Sequence, residues 1–229
     1  MRKKILLCIV ILGVFCFTGC GKKEVKDSDA SKFKEEYENY NGEKTSSGKG
    51  YLEVSIPSDN VIRYSNITEL LDVIKNKSGV IYLGYPTCPW CRNAITPLLE
   101  AASSTSLDKI YYLNMYEVRD TISYENGEFV TTKEGSSDYY DLVDALNSIL
   151  DDYIVKDSDG VEHNTSKKRI YVPLVVFVKD GEIVSYHADT VASQTDPYVK
   201  LTSEQHDELY DIYLDGIHKV LNDVCDERC

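Results

Sequence analysis

The sequence predicts an α/β fold in which a central mixed sheet is flanked by helices, and three observations carry that prediction. Apolar runs at residues 80–85 and 109–115 enclose a stretch of helical periodicity, the order of a parallel crossover unit. A further apolar run, residues 170–178, leads through the turn Lys179-Asp180-Gly181-Glu182 into residues 183–187, which is the pattern of an antiparallel hairpin. A long amphipathic helix closes the chain.

Taken from the start, Arg2-Lys3-Lys4 precede the apolar stretch 5–17 and the small residues Thr18-Gly19, so residues 1–19 read as a signal peptide. Phe17-Thr18-Gly19-Cys20 resembles the lipobox of bacterial lipoproteins, which implies that Cys20 is lipidated and becomes the first mature residue. Two acyl chains there would hold the protein at the outer face of the cell membrane, where one would be marginal. Residues 20–50 are rich in Lys, Glu, Asp, Ser and Gly and read as a flexible tether, with Phe33 and Tyr37 marking a short helical turn within it. Residues 51–229 form the expected single domain.

Within that domain, residues 51–56 and 61–64 read as short strands around the turn Pro57-Ser58-Asp59-Asn60. Asn66 and Glu69 resemble a capping box, after which Ile67, Leu70, Leu71 and Ile74 make one apolar helix face. Ile95, Leu98, Leu99 and Ala102 mark the crossover helix, with Pro97 as an expected kink. An insertion then spans 116–169. Its first part is polar and turn-rich, and Tyr139, Leu142, Val143, Leu146, Ile149, Leu150 and Tyr153 recur at helical spacing, so the insertion is predicted to be helical. The final helix is expected from about Thr202, burying Leu209, Ile212, Tyr213, Ile217, Val220, Leu221 and Val224.

Seven cysteines are distributed unevenly: Cys8 and Cys16 leave with the signal peptide and Cys20 takes lipid, which leaves Cys88, Cys91, Cys225 and Cys229. Cys88-Pro89-Trp90-Cys91 follows a strand and opens a helix, where unpaired backbone N–H groups and the helix dipole favour a thiolate. Cys88 is then the attacking sulfur, and Cys91 resolves the resulting mixed disulfide from one turn further on. A structural disulfide or half of a zinc site is the alternative for the same spacing. Cys225 and Cys229, four apart, fit a terminal second disulfide, with a second redox pair or zinc as alternatives.

The dithiol after a buried strand, Val172-Pro173 at the head of another, and the hairpin from Phe177 to Glu182 together resemble the thioredoxin fold over roughly residues 60–224. That resemblance implies a three-layer fold with a cis peptide at Val172-Pro173, lying against the dithiol and offering backbone to a substrate strand. A proline that merely opens a strand is the plainer reading of Pro173. The segment Gly84 to Arg92 also resembles the thioredoxin-like accessory proteins of bacteriocin export in Gram-positive bacteria. Two departures stand out. Tyr82 occupies the position, six before the first cysteine, where thioredoxins carry a buried acidic residue, and Pro89-Trp90 replaces their Gly-Pro. Arg92 either adds positive charge near Cys88 or points into solvent.

The resemblance implies a membrane-anchored, extracytoplasmic thiol–disulfide oxidoreductase, with Pro89, Trp90, Val172 and Pro173 meeting the substrate. Cysteine-containing exported proteins are the implied substrates, and a membrane or thioredoxin-like protein the electron partner. No cofactor is indicated. The rival reading is a thioredoxin-fold accessory module of an export system whose dithiol is structural. The net charge of −13 becomes −16 once residues 1–19, with three positive charges and no negative ones, are removed, which argues against nucleic acid. His163, His187, His206 and His218 show no metal-binding spacing, and Asp157-Ser158-Asp159-Gly160 reads as a turn rather than a calcium loop.

Overall fold

The computed structural model describes residues 28–221, so the signal peptide, Cys20, Cys225 and Cys229 lie outside the described residues. Alternation along the strands organises the rest. On β2 (Gly79–Gly84), Val80 and Tyr82 face one side while Ile81 and Leu83 face the other, and all are buried. A strand apolar on both faces needs a layer on each side. It has them: α1 (Asp29–Glu38), α3 (Pro89–Ser103) and α6 (Ser203–Leu221) cover the Tyr82 face, and α2 (Ile67–Asn76) with α5 (Tyr139–Ala145) cover the Ile81 face.

The sheet is five-stranded and mixed. β1 (Ile62–Tyr64) and β2 both run parallel to β3 (Ile110–Asn114), whereas β8 (Leu174–Lys179) is antiparallel to β2 and β9 (Glu182–Ala188) antiparallel to β8. The resulting order is β1-β3-β2-β8-β9. At the β8–β9 turn Asp180 and Gly181 both have positive φ, 50° and 80°, as a tight two-residue hairpin requires. A Cβ at Gly181 would come within 2.5 Å of the Lys75 carbonyl oxygen, so this turn also needs glycine for space.

Helix starts are legible in the sequence. The Asn66 side chain accepts the Glu69 N–H at 2.9 Å, and Thr202 and Gln205 cap α6 reciprocally at 3.3 and 3.0 Å. α3 continues through Pro97 to Ser103. Among the described residues no helix is long and apolar enough to cross a membrane.

Three expectations are corrected. The first concerns the tether: residues 29–38 form α1, with Phe33 and Tyr37 fully buried in the core. Two aromatic side chains at helical spacing outweigh the polar composition around them, because each removes a large apolar area from water. The second concerns residues 51–56, which form no strand. Side chains satisfy their backbone instead: Asn41 exchanges two hydrogen bonds with Val54, Glu38 accepts from the Ile56 N–H, and Lys34 donates to the Ile56 carbonyl.

The third concerns the insertion, which is largely β. After the short helix α4 (Met115–Val118) come two hairpins, β4 (Thr121–Glu125) with β5 (Glu128–Lys133), and β6 (Asp151–Lys156) with β7 (Glu162–Arg169). The predicted helix stops at Ala145, and a 3₁₀ turn over Asn147–Ile149 leads into β6. Tyr153 continues the helical spacing on paper, yet it also alternates with Val155, and a β-branched run pairs better with β7. These two side chains pack on Ile122 of β4 in a small core of their own. A buried Arg169–Asp120 ion pair of 2.9 Å, with the guanidinium 3.9 Å from the Tyr153 ring centre, joins β7 to the start of β4.

Candidate functional site

Cys88 is the N-cap of α3. Its backbone is extended, its N–H donates to the Tyr85 carbonyl at 3.2 Å, and its sulfur accepts the Cys91 N–H at 3.2 Å. The sulfur thus stands where a serine or aspartate oxygen usually caps a helix. Pro89 takes the first helical position, where the N–H it lacks would have no helical partner. Cys91 is fully buried, Cys88 is 3% exposed, and both are free thiols.

The register of β2 against β8, with Leu83 opposite Leu174, brings a segment far along the chain beside this loop. Val172-Pro173 is a cis peptide, and the Cys88 thiol lies 3.6 Å from the Val172 carbonyl oxygen as its donor. Trp90 is half-buried and lines a cleft of about 390 Å³ with His187, Asp189, Thr190 and Gln194. Pro173 is buried, and Val172 is partly exposed beside it.

The two thiols are driven apart electrostatically. Burial pushes the Cys88 thiol up, but hydrogen bonds from the Cys91 side chain and N–H, the positive charge of Arg119 and the Trp90 N–H outweigh it, so its pKa falls below the ordinary value. Burial pushes Cys91 well above the ordinary value, and the hydrogen bond and charge of Cys88 push it further. The Tyr85 backbone and the Tyr82 hydroxyl oppose that rise. This arrangement makes Cys88 the more readily ionised of the two thiols and holds the proton on Cys91.

Arg92 neither reaches Cys88 nor meets solvent. Its side chain is buried and donates to the carbonyls of Leu52 (2.6 Å), Tyr37 (2.8 Å) and Pro86 (3.1 Å) and to Asn41 Oδ1 (2.6 Å). One guanidinium therefore ties α1, the extended segment and the loop before the dithiol to α3. Tyr82, fully buried on β2, shares a 2.8 Å hydrogen bond with the Tyr37 hydroxyl of α1.

The structure adds three site residues that sequence reasoning missed. Arg119, which donates to the Tyr85 hydroxyl at 2.8 Å, is the cation that acts on Cys88. It sits in the polar stretch after β3, where nothing local distinguishes it. Tyr85 is legible in the sequence as the end of a strand and as part of the segment Gly84 to Arg92, neither of which gives it a role. Tyr37 lay in the supposed tether, and its four-residue spacing from Phe33 was the signal that could have found it.

Among the described residues no group of three or more His, Cys, Asp or Glu is placed to hold a metal ion. His163 pairs with Asp157 at 2.8 Å inside the turn read from Asp157 to Gly160, and His206 pairs with Glu100 at 2.9 Å. His187 bonds the Thr190 carbonyl at 2.7 Å. Comparison with known protein families and with characterised proteins found no match.

Proposed function

We propose that this protein is a thiol–disulfide oxidoreductase of thioredoxin-like fold, anchored through Cys20 at the extracytoplasmic face of the cell membrane and acting on cysteines of exported proteins. The observation that carries this reading is the placement of the Cys88 sulfur as the N-cap of α3, where it accepts the Cys91 N–H at 3.2 Å and lies beside the Val172 carbonyl. Cys88 is lowered and Cys91 raised, while the Val172 carbonyl stands 3.6 Å from the Cys88 sulfur. The strand order, with three mutually parallel strands, β1, β3 and β2, followed by the antiparallel hairpin β8–β9, supports the thioredoxin-like assignment.

In the proposed reaction the Cys88 thiolate attacks a substrate disulfide, forming a mixed disulfide and releasing one substrate thiol. Cys91 then attacks the Cys88 sulfur, closing the Cys88–Cys91 disulfide and releasing the second thiol; run in reverse, the cycle oxidises a dithiol. Cys88→Ser is expected to abolish turnover of insulin or of a scrambled substrate, and Cys91→Ser to accumulate mixed disulfides. Full turnover by both variants would sink the enzyme reading.

A second reading is favoured by the 3% exposure of Cys88: an accessory module of an export system whose dithiol closes as a structural disulfide. The reduction potential separates the two. A pair that resists glutathione, at a potential below about −300 mV, supports the module, whereas values between about −120 and −270 mV support the oxidoreductase.

A further inference from the structure

We propose that the cleft beside Trp90 is a subsite for a lysine or arginine side chain carried close to the reactive cysteine of the substrate, with the Asp189 carboxylate as its specificity determinant. This inference rests on the oxidoreductase reading and names a substrate class within it.

The cleft, about 390 Å³ in volume, has Trp90 on one wall, and the end of β9 with the loop after it, from His187 to Gln194, on the other. Trp90 belongs to the dithiol segment itself. The Asp189 N–H donates to the Pro173 carbonyl at 2.9 Å, which fastens the opposite wall to the cis-proline backbone beside the Cys88 sulfur. An extended chain that passes Val172-Pro173 with its cysteine at Cys88 carries the residues one and two places along roughly 3–7 Å further, to the mouth of this cleft.

The loop wall is held by its own hydrogen bonds, and these use up its side-chain donors. A carbonyl only accepts, so His187 Nε2 carries the proton of its 2.7 Å bond to Thr190. The Thr190 hydroxyl donates to Gln194 Oε1 at 2.6 Å, and the Gln194 amide donates to the Val199 carbonyl at 3.0 Å. Thr190 and Gln194 are both buried. Asp189 differs from them. It is exposed, and its carboxylate makes no hydrogen bond or ion pair among the described residues; His187, with the buried Tyr213 beyond it, is the titratable neighbour.

An aromatic wall with an open carboxylate suits a group that only donates. An ammonium or guanidinium can rest against the Trp90 indole and bond the Asp189 oxygens, whereas an acidic side chain would meet like charge. The backbone adds a further sign. Asp189 has a φ of 67°, in the left-handed region where glycine fits without cost and a side chain does not. The turn alone would be served by glycine, so the aspartate there contributes its carboxylate at some cost in strain.

The test uses the reduced full-length protein with Cys225 and Cys229 replaced by serine, and short peptides whose single cysteine is disulfide-bonded to nitrothiobenzoate. The peptides differ only in carrying Lys, Ala or Glu two places from that cysteine. The Cys88 thiolate bonds to the peptide sulfur, the peptide–nitrothiobenzoate bond breaks and the coloured thiolate departs; Cys91 then displaces the peptide, which leaves as its thiol with the Cys91 proton. At low salt the Lys peptide is expected to react about tenfold faster than the Glu peptide, with Ala between, and the ratio to shrink as salt is added.

Asp189→Asn keeps the size of the side chain and its tolerance of positive φ, and is expected to cut that ratio to about twofold; Asp189→Lys is expected to reverse the order. Asp108→Asn makes the same change of net charge just before β3, at the end of the sheet away from the dithiol, and is expected to keep the wild-type ratio. Equal rates for the three peptides, or a ratio that survives in Asp189→Asn, or one that falls equally in Asp108→Asn, would each overturn the subsite and leave the oxidoreductase reading standing. Wild-type protein that releases no coloured thiolate from any peptide would overturn that reading, and this inference with it.

Discussion

At Cys88, burial and hydrogen bonding compete, and the outcome depends on groups from distant parts of the chain. Arg119 belongs to the segment that follows α4, thirty-one positions after Cys88, yet its charge favours the Cys88 thiolate. Arg119→Gln is expected to raise the Cys88 pKa, so that thiolate absorbance appears at higher pH and alkylation slows at neutral pH; an unchanged titration would remove Arg119 from the site. Arg92 shows the opposite use of a cation. Burial lowers its pKa, and three backbone carbonyls and an amide oxygen satisfy it without a carboxylate. Sequence inspection offered only a charge near the dithiol or a solvated side chain, because nothing local indicates that 29–38 and 51–56 wrap around this position.

At the scale of elements, α6 meets the sheet through Gly216. A Cβ there would stand 2.4 Å from the Phe177 ring, which is fully buried on β8. The ring has no room to move, so Gly216→Ala is expected to destabilise the fold by about 1–3 kcal/mol despite the better helix propensity of alanine. A urea titration that finds the variant as stable as wild type would show that α6 can shift outward. The hairpin β4–β5 illustrates how an element escapes notice. Its two-residue turn, Asn126-Gly127, has positive φ at both positions and is a strong hairpin signal, but the exposed faces of β5 supply no apolar alternation to go with it.

Across the whole molecule, the buried tyrosines and Cys91 couple folding to pH. Burial raises the pKa of Tyr37, Tyr82, Tyr112 and Tyr213 above the ordinary value near 10, and that of Cys91 above its own. The folded state therefore holds these protons more tightly than the unfolded chain. Stability from them is complete below pH about 9 and is lost as pH rises beyond it, each group contributing up to about 1.4 kcal/mol per pH unit. Cys88 runs the other way. Its lowered pKa adds stability as pH climbs toward the ordinary thiol value of about 8.5, and nothing beyond that. The expected outcome is a urea midpoint that falls steeply between pH 9 and 11 in the reduced protein; a flat profile there would mean that these hydroxyls ionise without unfolding.

The sequence by itself determined the core of the sheet, α2, α3, α6 and the β8–β9 turn, together with the dithiol at the head of α3; the neighbourhood of Pro173 was implied only by a family resemblance. In those places apolar period, capping residues and turn chemistry all agree, so local physics was enough. Tertiary structure alone decided the rest. Whether residues 29–38 dangle or pack depends on a cavity that Tyr82, Tyr112 and α3 create. The helical spacing runs on through Tyr153, and only pairing with β7 makes residues 151–156 a strand. The tuning of Cys88 and Cys91 belongs to this second group too, since an ionisation equilibrium sums the burial and charges of everything nearby, and most of what is near was far apart in the chain.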